Sequence, residues 1–250
     1  MTPSREGLIL AFDTATPWCA AALKRYPAGG APPELVGSFL SDEGTQSRLL
    51  PTVVKGLLDQ AGLTLNDLSL LAVGRGPGSF TGLRTGLALA KGLAAGAGLP
   101  VIGLDSLKAA AFQAFQGFPE AQLVAPIIDA RHHQVFTALY QRGTAPGRPP
   151  LAPVLEPRPL APGDLPAILA EAAPGREILL TGPALDLVTA CFPQGLRAPL
   201  QASPAPAPPD AASLADLAHL IFREDQAALN PPIPLYIRQP DIRQSGLAMR

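Results

Sequence analysis

The chain has 250 residues, enough to bury a substantial core without disulfides or metals. At 47% hydrophobic and 16% charged, with a mean hydropathy of +0.22, it is not a disordered polymer. Its 19 basic and 20 acidic residues leave a net charge of −1, so it lacks the basic excess of a protein that grips RNA unaided.

Leu8–Phe12 is a short apolar run that ends at Asp13-Thr14-Ala15-Thr16, which reads as a strand entering a turn. Trp18–Leu23 and Leu35–Leu40 read as two further strands, with a turn at Pro27-Ala-Gly-Gly30 between them. Three strands with tight links predict an antiparallel meander. The period then changes to helical, with Leu49, Leu50, Val53, Val54, Leu57, Leu58 and Ala61 on one face and Gly62 as the stop. Leu70–Val73 reads as a buried strand, and the loop Gly74-Arg-Gly-Pro-Gly78 leads into a second helix running to about Ala95, capped by Ser79 or Thr81. A strand over 100–104 and a helix from Ser106 to about Gln116 complete this unit.

A second unit opens with a strand at Leu123–Ile128 ending in Asp129, and Val135–Tyr140 is its hairpin partner. Segments 143–163 and 198–210 are proline-rich and read as loops. Leu165–Ala172 reads as a short helix, Ile178–Leu180 as a strand, Ser213–Phe222 as an amphipathic helix and Pro234–Arg238 as a closing extended segment. The whole is a mixed α/β fold in two similar halves, the second a looser echo of the first. The expected division is 1–106 for the first lobe and 107–250 for a smaller, proline-rich second lobe, with helix 213–222 a candidate to pack back on the first.

Strand, glycine loop and helix at Gly74–Ser79 form a geometry that can aim backbone N–H groups at an anion. The loop lacks the Gly-Lys-Ser/Thr of a P-loop, and Ser79 stands where a dinucleotide fingerprint wants glycine, although Asp105 follows the next strand. The alternative is a tight turn that needs glycine for its backbone alone. Gly82, Gly86 and Gly92 lie within the following helix, each at a cost of about 0.8–1 kcal/mol against alanine. They leave a smooth groove beside Leu83, Leu87 and Ala90, and the two helices together present more apolar face than one sheet is expected to cover. A partner surface over Leu49, Leu50, Val53, Val54, Leu57, Leu83, Gly86, Leu87 and Ala90 is the expectation, with packing inside the chain as its alternative.

Asp13 and Asp129 end equivalent strands, each followed by a turn with alanine where a phosphate-binding loop would hold glycine. Asp13, Gly76, Gly78, Ser79 and Asp129 are therefore the candidates for nucleotide contact, and hydrogen bonding of each Asp to its own turn is the alternative. His132 and His133, read as strand neighbours, would face opposite ways, and with His219, Cys19 and Cys191 they compose no metal site. No nucleophile has a base beside it. No signal segment or membrane span is expected, since the apolar stretch 83–104 is broken by Lys91, glycines and Pro100.

Ile9–Thr16, Ser47-Arg-Leu-Leu-Pro51, Gly74-Arg-Gly-Pro-Gly-Ser-Phe-Thr-Gly-Leu-Arg84, Ile128-Asp-Ala-Arg131 and Pro234-Leu-Tyr-Ile-Arg238 together resemble the bacterial TsaB (YeaZ) family. The resemblance implies a two-lobed actin-like fold of the RNase H type and a cytoplasmic, non-catalytic subunit. Its partner TsaD transfers threonylcarbamoyl to the adenosine beside the anticodon of certain tRNAs. It also implies contact with TsaD through the first two helices, assembly with the TsaE ATPase, and tRNA contact only through the complex. The apolar face of the same helices makes self-association of the free chain an expectation, with a monomer as the open alternative. No tightly bound cofactor is expected, with Mg-ATP or Mg-ADP only within the complex. Thr45 stands where many relatives keep a histidine, and Gln134-Val135-Phe136 where they often show Glu-Val-Tyr. The rival expectation is an actin-like ATPase or phosphotransferase acting alone through Asp13, the 74–79 loop and Asp129.

Overall fold

The computed structural model describes residues 7–42, 46–143, 151–192, 210–224 and 231–237. The first sheet is laid down by β1 (Gly7–Asp13), β2 (Cys19–Tyr26) and β3 (Glu34–Ser41), an antiparallel meander as expected from the short links. Helix α1 (Gln46–Ala61) then crosses back so that β4 (Leu70–Gly74) runs parallel to β1, and α2 (Phe80–Ala97) does the same for β5 (Val101–Leu104). The strand order is β3-β2-β1-β4-β5. Ser79 caps α2 through Gly82 N–H, and Gly98, in the left-handed region at φ 65°, closes it.

The alternation within β1 sorts two cores. Leu8, Leu10 and Phe12 pack with Leu71 and Val73 of β4 against α1 and α2. Ile9 and Ala11 face the other way, toward α3 (Ser106–Gly117) and α6 (Ala211–Glu224). Alanines 20 and 22 in β2 leave room for the start of α6 at Ala211. Lys24 and Tyr26 fasten that helix by binding the two oxygens of Asp216 at 2.7–2.8 Å, and His219 stacks on Tyr26 with ring centroids 3.9 Å apart.

The second half repeats the order in reduced form. β6 (Leu123–Arg131), β7 (Gln134–Arg142) and β8 (Leu151–Leu160) form a meander, α4 (Leu165–Ala172) crosses over, and β9 (Leu179–Thr181) joins parallel to β6 before the single turn of α5 (Asp186–Thr189). The order β8-β7-β6-β9 matches β3-β2-β1-β4 element for element. Val124, Ile128 and Ala130 share the core of α3 and α6, while Leu123, Ala125 and Ile127 face α4 and α5.

One expectation is corrected. Residues 143–163 are not a loop throughout, because 151–160 form β8. Pro153, Pro157 and Pro159 are tolerated because β8 is an edge strand that pairs only with β7 and shifts register twice along it. Most of the other proline-rich stretch, 198–210, lies outside the described residues, as do Thr45 and Arg238. Among the described residues no helix is long and apolar enough to cross a membrane.

Candidate functional site

The turn that follows β1 and the glycine loop that follows β4 are pressed into one another. Asp13 accepts a hydrogen bond from Ala15 N–H at 2.6 Å on Oδ1 and one from the Ser106 hydroxyl at 2.7 Å on Oδ2. Ser106 N–H in turn donates to Gly76 O at 2.7 Å. The carboxyl group is buried, and that burial raises its pKa above the ordinary value, opposed by the two hydrogen bonds. The glycines are explained by contact with this turn. A Cβ on Gly74 would lie 2.7 Å from Asp13 Oδ1 and nearer still to its other carboxylate atoms; one on Gly86 would lie 2.6 Å from Thr14 Oγ1. On Gly78 it would strike the Ala15 carbonyl, 2.7 Å from the carbon and 2.9 Å from Ala15 Cβ.

Ser79 N–H, at the mouth of α2, donates to Ala15 O at 2.6 Å, and the Ser79 hydroxyl accepts from Gly82 N–H. The Thr14 hydroxyl donates to Gly82 O at 2.8 Å. Two of the backbone donors at this helix end, those of Ser79 and Gly82, are thus engaged within the chain. The Ala15 carbonyl therefore sits directly against Gly78 and Ser79 at the mouth of α2.

A cleft of about 240 Å³ opens beside this loop, between the Ala15–Pro17 turn and Gly78–Phe80 on one side and Asp129–His132 and Phe136 on the other. Leu235–Ile237 form part of its wall. Asp129 accepts Arg131 N–H at 2.7 Å, and its second oxygen lies 3.3 Å from the Arg131 guanidinium. His132 and His133 are not strand residues as expected; they are the two-residue turn joining β6 to β7. Both have positive φ (51° and 58°), as does Arg131 at 62°. Such a turn matches the twist of the flanking strands but ordinarily uses Asn and Gly.

The expected partner face is also corrected. Leu50, Val54, Leu57, Leu83, Leu87 and Ala90 are buried within this chain against β1, β2 and β4, and Gly86 lies against Thr14. Leu49 and Val53 are half-buried. What α1 and α2 turn outward is polar or small: Thr52, Lys55 and Asp59 on the first, Arg84, Ala88, Lys91, Gly92 and Ala95 on the second. A Cβ on Gly56, Gly92 or Gly96 would meet nothing within 4 Å.

Asp105 caps α3 through Leu107 N–H at 3.1 Å and accepts the Tyr140 hydroxyl at 3.4 Å. Burial lifts its carboxyl to about 6, against the pull of the backbone bonds, Arg75 and Lys108. Cys19 is buried, and burial with the nearby Asp13 charge raises its thiol to about 11, so it is not poised as a nucleophile. His219 is lowered by burial first and by Arg223 second. Among the described residues no three His, Cys, Asp or Glu side chains gather as metal ligands. Sequence reading missed Ser106 as the partner of Asp13, 93 residues away, and Asp216, whose only signal was being the one carboxylate in the amphipathic stretch 213–222.

Residues 28–147 match the family model described as TsaD, tRNA N6-adenosine threonylcarbamoyltransferase. Over 134 residues the chain is 45% identical to the tRNA threonylcarbamoyladenosine biosynthesis protein TsaB of Escherichia coli (strain K12), covering 54% of this chain and 55% of that protein. An uncharacterized protein of Mycobacterium tuberculosis (strain ATCC 25618 / H37Rv) is 31% identical over 235 residues, 94% of this chain and 93% of that one. The solved structure of YeaZ from Pseudomonas aeruginosa aligns with a TM-score of 0.73 at 26% identity, over 92% of this chain and 99% of the other. The matched stretch spans about half the length of the Escherichia coli relative.

Proposed function

Because the chain belongs to the TsaB (YeaZ) family and has its actin-like fold, we propose that it serves tRNA threonylcarbamoyladenosine biosynthesis as a non-catalytic subunit that binds TsaD. One observation carries the reading. The loop that would hold a nucleotide phosphate is filled by the Asp13–Thr16 turn, whose carboxylate is spent on Ala15 N–H and the Ser106 hydroxyl. Such a chain is built to hold a shape. It binds no nucleotide tightly by itself; Mg-ATP or Mg-ADP enters only with TsaD and TsaE, and tRNA is met through the assembly.

The contact surface in this reading is the outward face of α1 and α2, and it also serves a homodimer of the free chain. Gly92 supports this assignment, since a mid-helix glycine with open space around it is unexplained by packing within the chain. The residues that test the surface are Ala88 and Gly92, both exposed. Light-scattering chromatography of the chain mixed with its TsaD counterpart should give a one-to-one complex that Gly92→Trp and Ala88→Glu abolish, with the melting temperature of the free chain little changed. Unaltered binding by both variants would overturn the assigned surface. Calorimetry with Mg-ATP should give no heat; binding that Asp13→Asn abolishes would establish the ATPase reading instead.

A further inference from the structure

In an open α/β sheet, ligands lie in the crevice beyond the carboxyl ends of the parallel strands. Here the parallel strands of the first sheet are β1, β4 and β5, and the end of β1 is closed by the Asp13–Ser106 contact. The ends of the other two are crossed by residues 231–237. Leu235 N–H donates to Arg75 O at 2.7 Å, one residue past β4. Pro231 and Pro232 pass over Gly103 in β5 so closely that a Cβ there would come 2.9 Å from Pro231 O and 3.0 Å from Pro232 Cα. A Cβ on Gly76 would lie 3.3 Å from Leu235 O. Tyr236 then packs on Phe80 with ring centroids 5.1 Å apart, and its hydroxyl accepts from Arg84 Nε at 3.4 Å, while the Arg84 guanidinium lies 3.7 Å over the Phe80 ring. Ile237 packs against the core that α3 and α6 share with β6 and β7.

We infer that residues 231–237 are an intramolecular strap that occupies the ligand crevice at the ends of β4 and β5 and holds the neighbouring cleft at one width. Gly103 in β5 admits its backbone at close range, Gly76 lies near Leu235 O although its φ of 101° and the Leu83 side chain already call for glycine there, and the Arg75 carbonyl on the loop receives its N–H. That is the recognition an extended peptide needs: main-chain pairing for affinity and side-chain contacts at Leu235, Tyr236 and Ile237 for position. Leu235–Ile237 line the same cleft as Asp129–His132 of the second half and Gly78–Phe80 of the first, so the strap lies where residues of both halves meet. This holds whichever partner the chain has.

The test uses the full chain and two variants that reach the strap from different sides. Gly103→Ala pushes on Pro231 and Pro232 from beneath without altering any strap residue, and Tyr236→Ala removes the aromatic anchor above. Amide hydrogen exchange should rise about tenfold or more at Leu235, Ser79 and the 131–136 turn in both variants, while the amides of Leu8–Phe12 keep their protection. Exchange at the 131–136 turn that stays at the parent rate in both would overturn the inference, since the strap would then hold nothing. Equal loss of protection in β1 would overturn it as well, because the segment would be a part of the global core and not a separable strap. If Gly103→Ala fails to fold, the Tyr236→Ala pattern alone decides between these results.

Discussion

Replacing Gly78 by alanine adds one methyl group, and the surroundings of Gly78 fix its consequence. The new Cβ would sit 2.7 Å from the Ala15 carbonyl carbon and 2.9 Å from Ala15 Cβ, with the carbonyl oxygen closer still. The obstructing atoms are mostly backbone, and Ala15 is also held by its bonds to Asp13 and Ser79. Overpacking of this kind costs about 1–3 kcal/mol. Moving the turn aside also weakens the Ser79–Ala15 hydrogen bond, worth about 1 kcal/mol. Against this, alanine gains about 0.4–1 kcal/mol by restricting the unfolded chain. The balance is a loss of about 1–3.6 kcal/mol, or about 2–14 °C in melting temperature for a chain of this size. Gly92→Ala is the control, since a Cβ there meets nothing within 4 Å and the helix gains about 0.8–1 kcal/mol. Thermal unfolding followed by far-ultraviolet circular dichroism should therefore move in opposite directions for the two variants. A Gly78→Ala protein that melts at or above the parent temperature would refute the self-filled loop, and the glycine would then be reserved for a ligand absent from the free chain.

Leu83→Glu should unfold the protein, because Leu83 is 1% exposed and the change removes a core side chain and buries a charge, whereas Ala88→Glu on the outer face should shift stability by no more than about 0.5 kcal/mol in denaturant melts. Stability should depend on pH through Asp105. Its folded carboxyl titrates near 6, against 3.8 ordinarily, so its contribution is full below 3.8 and is lost as pH rises through about 6. Asp105→Asn, which keeps a helix cap, should flatten that slope in urea melts; Asp13, raised in the same direction, should preserve part of it. An unchanged slope would exclude Asp105 as its source. Cys19 should resist a disulfide-exchange reagent at neutral pH while the half-exposed Cys191 reacts, giving one thiol in the native protein and two after denaturation.

The strands and helices of the first half were legible because each carries a complete local signal: alternation or a 3.6-residue period, bounded by glycine or a cap. The direction of an apolar helix face was not. Leu50, Val54 and Leu57 produce the same stripe whether they meet a partner or β1 and β2, and only the three-dimensional alternation of Leu8, Leu10 and Phe12 decides for the sheet. Strand β8 was hidden by its prolines, whose effect depends on whether the strand lies at an edge. The His132-His133 turn was hidden because neither residue announces a positive φ. The glycine loop was correctly singled out as unusual, but what presses on it comes from residues some 60 positions earlier. Sequence spacing alone therefore favoured the turn reading of these glycines without closing the ligand reading.

The two halves make the same local device and put it to different ends. After the first strand of each meander an aspartate accepts the N–H two residues on, Asp13 from Ala15 and Asp129 from Arg131. At the end of the fourth strand of each, a glycine is forced by close approach to that first strand: Gly74, the last residue of β4, against Asp13, and Gly182, just past β9 at φ 112°, against the Ile127 backbone with 2.9 Å between a would-be Cβ and Ile127 N. The shared demand is architectural, since a short turn must pass beneath a parallel neighbour whatever the chemistry above. The carboxylates then diverge. Asp13 is buried and pushed toward its neutral form, while Asp129 stays at the cleft beside the guanidinium of Arg131. Each is consumed within its own surroundings, one by a serine from α3 and the other by its own turn. The strap meanwhile lies across the ends of the parallel strands, beside the cleft that Asp129 lines. The internal repeat thus keeps the same backbone device in both halves while the surroundings of its two aspartates differ.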